Sequence, residues 1–281
     1  MSKYVVSVLV ADFDGTVTKR DTIDSLARLA IGQLEQPDDQ LENWLSLSQH
    51  YQSQSAVADS SFFSDFSSLE AFVANFHNTV EKPALEQVVL QKFLMGLKKE
   101  QLLRLGQKTK KRQLVERVLT RLRRKSVRVE ILSANWSTDL IIGAVGEYCD
   151  LITANDLLFT NEDPITTTGE IKFKITSAQH KLSRIEQVMN TYGKTAFIGD
   201  SINDILAICH ADIGILIGQN QLARQALRYF EIPFVDIQLG SDYFPDIHSG
   251  SVIGLRSWSE VDFFLKTHKL PTNHEPSNSS L

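Results

Sequence analysis

The sequence predicts an α/β fold: a doubly wound, Rossmann-like, mostly parallel sheet with a helical segment inserted after its first strand. Three observations carry this. Tyr4 to Val10 is an apolar, β-branched run of the kind buried on both faces of a parallel sheet, and it leads into Ala11-Asp12-Phe13-Asp14-Gly15-Thr16. From about Lys111 onward, helical patterns alternate with short apolar runs, the rhythm of βαβ units. Between the two, nothing from Thr22 to about Lys110 reads as a strand. The expected organisation is a core of residues 1–18 and 112–269, a helical segment of 19–111, and a loose polar tail of 270–281.

In chain order, Asp21 or Thr22 caps a helix carrying Ile23, Leu26, Ala27, Ala30 and Ile31. A second helix is expected from Asp38 to about Tyr51, and the Ser-rich piece from Gln52 to Ser68 reads as a loop or broken helix. Phe72, Val73 and Phe76 give helical spacing to Leu69–Val80, and a further helix is expected over Pro83–Leu97. A helix from about Lys111 to Arg124 leads to the strand Val127–Leu132, which ends at Ser133-Ala134-Asn135. A helix over Thr138–Val145, a strand over Leu151–Ala154 and a hairpin over Leu158–Phe173 follow. Next come a helix over Ser177–Tyr192, the strand Thr195–Ile198, and the turn Gly199-Asp200-Ser201. The remainder reads as helix Ile202–Cys209, strand Ile213–Ile217, helix Leu222–Phe230, strand Pro233–Asp236 and helix Glu260–Leu265.

Composition bounds the function. With 42% hydrophobic and 22% charged residues among 281, the chain has the make-up of a soluble globular protein with one large or two ordinary domains. No apolar run approaches the roughly 20 residues of a membrane span. The short Met-Ser-Lys start lacks the features of a signal peptide, and the cysteines are Cys149 and Cys209 alone. A cytoplasmic location is expected, with the nucleus as an additional one. The net charge of −5 hides a basic block: residues 92–128 hold 14 of the 29 Lys and Arg. Such a block suits an acidic partner or RNA. Against that, Leu94, Leu97, Leu102, Leu105, Leu114, Val118 and Leu122 recur near helical spacing, and no aromatic residue between Phe93 and Trp136 offers a base a stacking surface. Solvated helix faces are the expectation, and nucleic acid is not an expected partner.

The chemistry gathers at strand ends. Asp12 and Asp14, spaced i and i+2, point the same way from the C-terminal end of a buried strand, where ligands of α/β sheets sit. Two carboxylates there demand a cation, and a hard, oxygen-seeking ion such as Mg²⁺ meets the demand. Gly15 permits a tight turn, and Thr16 offers a hydroxyl and an amide. Ser133, with the amides of Ala134 and Asn135, is placed to hold phosphate oxygens at a helix start. Lys181, near the start of its helix, offers a neutralising cation, with Lys174 as the alternative. Asp200 and Asp204, four apart after an apolar strand, complete an acidic set.

Asp-x-Asp, Ser, Lys and Gly-Asp-x-x-x-Asp in this order on successive strands resemble the haloacid dehalogenase superfamily, chiefly its phosphatases. The likeness covers Val5–Thr18 and about Val127–Ile217. It implies a C1-type cap, which matches the helical insertion, and Ala154-Asn155-Asp156-Leu157 with Thr168-Gly169-Glu170 resemble the phosphoserine-phosphatase-like branch. A narrower likeness, through Asp12–Thr22, Leu132–Ile142, Gly199–Gly218 and Leu255-Arg256-Ser257-Trp258, is to the phosphatase domain of plant thiamin monophosphate phosphatases and to a fungal cold-tolerance family. The resemblance implies hydrolysis of a small phosphomonoester through an aspartyl-phosphate on Asp12. Asp14 is then the general acid/base, and Mg²⁺ is held by Asp12, Asp14 (through its backbone carbonyl), Asp200 and Asp204. Lys181 and Ser133, with Ala134, Asn135 and Thr16, bind the phosphoryl group, and Asp21 becomes a candidate substrate contact suited to a cationic substrate. Thiamin monophosphate leads as substrate, followed by sugar, amino-acid or methionine-salvage phosphates or a broad range. A regulatory or binding protein that uses the basic block is the alternative of a different class.

Overall fold

The computed structural model describes residues 6–55, 60–237 and 251–267. Seven strands form one sheet in the order β3-β2-β1-β6-β7-β9-β8, every neighbouring pair parallel. They are β1 (Val8–Ala11), β2 (Arg128–Leu132), β3 (Leu151–Thr153), β6 (Thr195–Gly199), β7 (Ile213–Ile217), β8 (Phe234–Asp236) and β9 (Val252–Leu255). A separate antiparallel hairpin joins β4 (Asp156–Phe159) to β5 (Thr167–Lys172). Strand β9 lies in a stretch for which no element is expected from the sequence. Val252, Ile253 and Leu255 are all buried, and the strand inserts between β7 and β8, where both faces are covered.

Alternation along β1 divides the interior. Leu9 and Ala11 face one apolar cluster, and Val8 and Val10 the other. The first is closed by α1 (Ile23–Ile31), α6 (Val115–Arg124), α7 (Thr138–Val145) and α11 (Trp258–Thr267), the second by α8 (Ala178–Tyr192), α9 (Ile205–His210) and α10 (Gln221–Tyr229). Truncating a wholly buried side chain such as Phe197 to alanine costs about 3–5 kcal/mol.

The segment between β1 and β2 is helical, with α2 (Asp38–Ser55), α3 (Leu69–Phe76), α4 (Lys82–Leu90) and α5 (Lys99–Lys108) following α1. A π-helical turn, His77–Glu81, joins α3 to α4. The helix expected over Pro83–Leu97 stops at Leu90. Lys92 takes a left-handed φ of 51°, Phe93 and Leu94 plunge into the core, and Leu97 pairs with Thr167 of the hairpin in both directions. Helix α5 then crosses α7 so closely that a Cβ on Gly106 would lie 2.0 Å from the Leu140 carbonyl. The two strands of chain entering and leaving the segment run side by side, with Lys19 N–H donating to Lys110 and Arg112 N–H to Val17.

The Ser-rich piece 52–68 is not featureless. α2 continues to Ser55, and Phe63 stacks on Tyr229 at 5.4 Å while also meeting Phe62, Phe72 and Phe230. The predicted strand start at Tyr4 and the tail 270–281 fall outside the described residues. Among the described residues, no helix is long and apolar enough to cross a membrane.

Among the described residues, five of the fourteen basic residues of the block form ion pairs with acidic neighbours. Lys99 meets Asp139, Lys111 meets Glu116, Arg121 meets Asp262, Arg123 meets Asp150, and Arg128 meets Glu130.

Candidate active site

β1 lies between β2 and β6, so the loops leaving these three parallel strands converge at the C-terminal end of the sheet. That is the switch point at which α/β folds bind ligands. Asp12 and Asp14 leave β1, Ser133 leaves β2, Asp200 and Asp204 follow β6, and Lys181 stands in the first turn of α8 behind its Ser177 cap. All six line one cavity of about 730 Å³ except Asp204, which sits beneath its floor with no exposure at all.

The floor is a charge network. Lys181 Nζ, 2% exposed, donates to Asp12 Oδ1 at 2.7 Å and Asp204 Oδ1 at 2.6 Å. Burial works against its ammonium, but the two carboxylates outweigh burial and raise its pKa above the ordinary lysine value. The second Asp204 oxygen accepts from the backbone N–H groups of Asp200 and Ser201 and from Ser201 Oγ, which fixes the turn. Carboxylate oxygens of Asp12, Asp200 and Asp204 lie within 4.8 Å of one another. Burial, reinforced by these neighbouring charges, pushes Asp12 up to about 7 and raises Asp200 well above the usual carboxylate range. Three crowded oxygen donors served by one ammonium fit a hard divalent cation.

Asp14 stands apart from that network. Its Oδ1 accepts from the Thr22 N–H and hydroxyl, both at 2.8 Å, and its Oδ2 from Asn135 Nδ2 at 2.6 Å. Burial, with Asp21 adding negative charge, lifts its pKa to about 8. Its carboxylate is therefore not among the three clustered donors.

Two residues expected on the phosphate side have side chains that hydrogen-bond to carboxylates. Thr16, fully buried, donates its hydroxyl to Asp200 Oδ1 at 2.8 Å and is absent from the cavity wall. Asn135 donates its N–H to Ser133 Oγ at 3.1 Å and its side chain to Asp14 and Thr22, and it lines the cavity together with Ser133 and Ala134. The reason is proximity: Gly15, at φ 72°, folds the turn so tightly that a Cβ there would lie 2.3 Å from Asp200 Oδ2. Lys174, the alternative cation, is spent on Asp156 at 2.6 Å.

Thr22 and Asn203 escaped the sequence reading. Asn203 lines the cavity, with its Oδ1 buried and without a hydrogen-bond partner. The Thr22 side chain was read only as a helix cap, yet it accepts from Asn135 as well as donating to Asp14.

The roof comes from the helical segment. Trp44, Leu47 and Tyr51 on α2, Glu81 on the π-turn and Leu85 on α4 face the floor, with Trp136 closing the side. Trp44 packs edge-on to Trp136 at 6.5 Å and donates its Nε1 to Asp24 at 2.9 Å. Asp21 opens onto the cavity while accepting from Ile23 N–H at 2.6 Å, and crowding by protein raises its pKa.

Residues 9–208 match the haloacid dehalogenase-like hydrolase family. The chain is 27% identical over 208 residues to the bifunctional TH2 protein, mitochondrial, of Arabidopsis thaliana; that stretch is 66% of this chain but 34% of the relative, so the chain spans about a third of the relative's length. Its fold is similar to the phospho-aspartyl intermediate analogue of phosphoserine phosphatase, with a TM-score of 0.59 at 15% identity over 94% of this chain and 99% of that one. It is also similar to a haloacid dehalogenase family hydrolase of Salmonella enterica serovar Typhi, at TM-score 0.58 and 16% identity over 95% and 73% of the two chains. Cytosolic 5′-nucleotidase IIIB bound to cytidine gives 0.54 at 13% identity over 92% and 83%.

Proposed function

Since the chain belongs to the haloacid dehalogenase-like hydrolases, we propose that it is an Mg²⁺-dependent phosphomonoesterase working through an aspartyl-phosphate on Asp12. The observation that carries this reading is the contrast between two carboxylates two residues apart. Asp12 is tied to the Lys181 ammonium and belongs to the acidic cluster, whereas Asp14 is held by the neutral donors of Thr22 and Asn135. A carboxylate joined to a cation and a metal-type cluster suits the nucleophile, and one held by neutral donors and kept able to carry a proton suits the acid/base.

In this mechanism an Asp12 oxygen bonds to phosphorus as the ester P–O bond breaks, and Asp14 gives its proton to the leaving oxygen. Water then attacks phosphorus, the Asp12–phosphorus bond breaks, and Asp14 takes the proton back. Lys181 and Ser133 hold the phosphoryl oxygens, and Asn135 and Thr22 keep Asp14 aimed at the leaving group. Asp12, Asp200 and Asp204, with the Asp14 carbonyl, would hold Mg²⁺, whose charge offsets the carboxylates and the phosphoryl group.

The helical segment 19–111 acts as a cap, its last part fastened to the hairpin and α7. The cavity size favours a small metabolite, and the carboxylates of Asp21 and Glu81 beside Trp44, Tyr51 and Trp136 favour a cationic, flat leaving group. Thiamin monophosphate, to which the resemblance points, leads; a broad or sugar-phosphate specificity is second. Phosphate release should be measured from thiamin monophosphate, phosphoserine and sugar phosphates, with and without Mg²⁺. Asp12→Asn serves as the blank. One strongly preferred ester, lost in the variant, supports the reading; release that persists in Asp12→Asn refutes it.

A further inference from the structure

The Asp12–Thr16 turn is pinned from two distant places. Arg112 Nε donates to the Gly15 carbonyl at 2.6 Å, and Trp258 Nε1 donates to the Thr16 carbonyl at 2.8 Å. Trp258 opens α11, beyond the family match that ends at residue 208, and is wholly buried. Its own position is fixed. Glu260 accepts from the N–H groups of Arg256 and Ser257, Asp262 pairs with Arg121 of α6, and Val261, Phe264 and Leu265 bury the rest of the helix. The carbonyl that Trp258 holds belongs to the residue whose hydroxyl donates to Asp200 at 2.8 Å. A side chain 242 positions along the chain thus reaches the acidic cluster through one intervening residue.

We propose that Trp258 is a positioning residue: through Thr16 it sets the direction of the Asp200 carboxylate and thereby the affinity of the acidic cluster for a divalent cation. This rests on the reading of Asp12 and Asp200 as cation ligands. Groups that hydrogen-bond to metal ligands typically change metal affinity 10- to 100-fold when removed. Trp258 acts one residue further out, so its loss should weaken affinity about tenfold, the low end of that range. Thr16, in direct contact with Asp200, should cost more when its hydroxyl is removed.

The test is calorimetric titration of the full chain with Mg²⁺ alone, alongside the Mg²⁺ dependence of turnover. Trp258→Phe should raise the Mg²⁺ dissociation constant about tenfold, and excess Mg²⁺ should return kcat to near the wild-type value. Trp258→3-benzothienylalanine exchanges the N–H for sulfur at almost constant ring volume, so it tests the bond even where Trp258→Phe folds poorly. Thr16→Val should weaken Mg²⁺ more, Thr16→Ser should restore it, and Thr16→Val with Trp258→Phe should be no weaker than Thr16→Val alone. An unchanged Mg²⁺ constant in the benzothienyl protein overturns the proposal, as does strict additivity of the two losses. A wild-type protein that binds no Mg²⁺ overturns the underlying metal reading instead.

Discussion

Floor and roof of the cavity are built by different means. The floor comes from strand ends and the turns that follow them, where parallel register dictates which side chains meet: Val8 pairs with both Arg128 and Thr195, so Asp12, Ser133 and Asp200 emerge side by side. The roof comes from α2, the π-turn and α4, elements that meet only through packing. On the floor, hydrogen bonds fix Asp12, Asp14, Lys181, Asp200 and Asp204 in place. On the roof, indole and phenol rings stand beside carboxylates that open onto the cavity. A floor so constrained suits chemistry common to a family. A roof assembled by helix packing suits a choice of substrate that varies within it.

The sharpest way to break that division lies on the floor. Asp14→Asn keeps the shape of the side chain while removing its proton traffic, and kcat should fall about 10²- to 10⁴-fold. KM should move little, because Asp14 is not in the phosphoryl-binding group. Steady-state kinetics of the purified variant checks this. A loss carried by KM alone would place Asp14 in binding and remove the acid/base assignment.

Roof variants should behave in the opposite sense. Asp21→Asn and Glu81→Gln each remove a negative charge from the cavity wall. Each should raise KM for a cationic ester such as thiamin monophosphate by about tenfold, the scale of a half-screened ion pair, and leave kcat within about twofold. For a neutral leaving group such as p-nitrophenol, KM should stay put. Equal effects on both esters would mean that the roof carboxylates support structure rather than select charge.

How much was legible follows the same line. Asp12, Asp14, Ser133, Lys181, Asp200 and Asp204 could be found because each stands within one turn of an apolar strand or a helix start, a local pattern. The side-chain partners of Thr16 and Asn135 could not be read, because only the folded chain brings Thr16 to Asp200 and Asn135 to Asp14. Strand β9 was lost because Val-Ile-Gly-Leu is too short to distinguish from a buried loop without its neighbours. The aromatic packing of Phe62 and Phe63 was hidden in a Ser-rich stretch, since polarity there says nothing of which few rings turn inward. Nothing local marks Tyr51 or Glu81 as cavity residues.

The smallest effect concerns the floor without its cation. Asp12 at about 7 and Asp14 at about 8 hold protons more firmly in the folded chain than in the unfolded one, where carboxyls titrate near about 4. For a raised carboxyl the sign is definite: its stabilising contribution is complete below the unfolded value and is lost as pH climbs through the folded one. Lys181, also raised, changes only in the alkaline range and leaves this window untouched. The metal-stripped protein should therefore melt a few degrees lower at pH 8 than at pH 5.5, since about 1 kcal/mol moves a domain of this size by roughly 2–4 °C. Mg²⁺ should recover the loss at pH 8, where the clustered carboxylates are ionised and can bind it, and do little at pH 5.5. Asp12→Asn should reduce this pattern without abolishing it, because Asp14 and Asp200 remain raised. A melting temperature independent of pH in the stripped protein would show that the floor carboxylates are not forced into proton sharing, and with it the case for a resident cation would weaken.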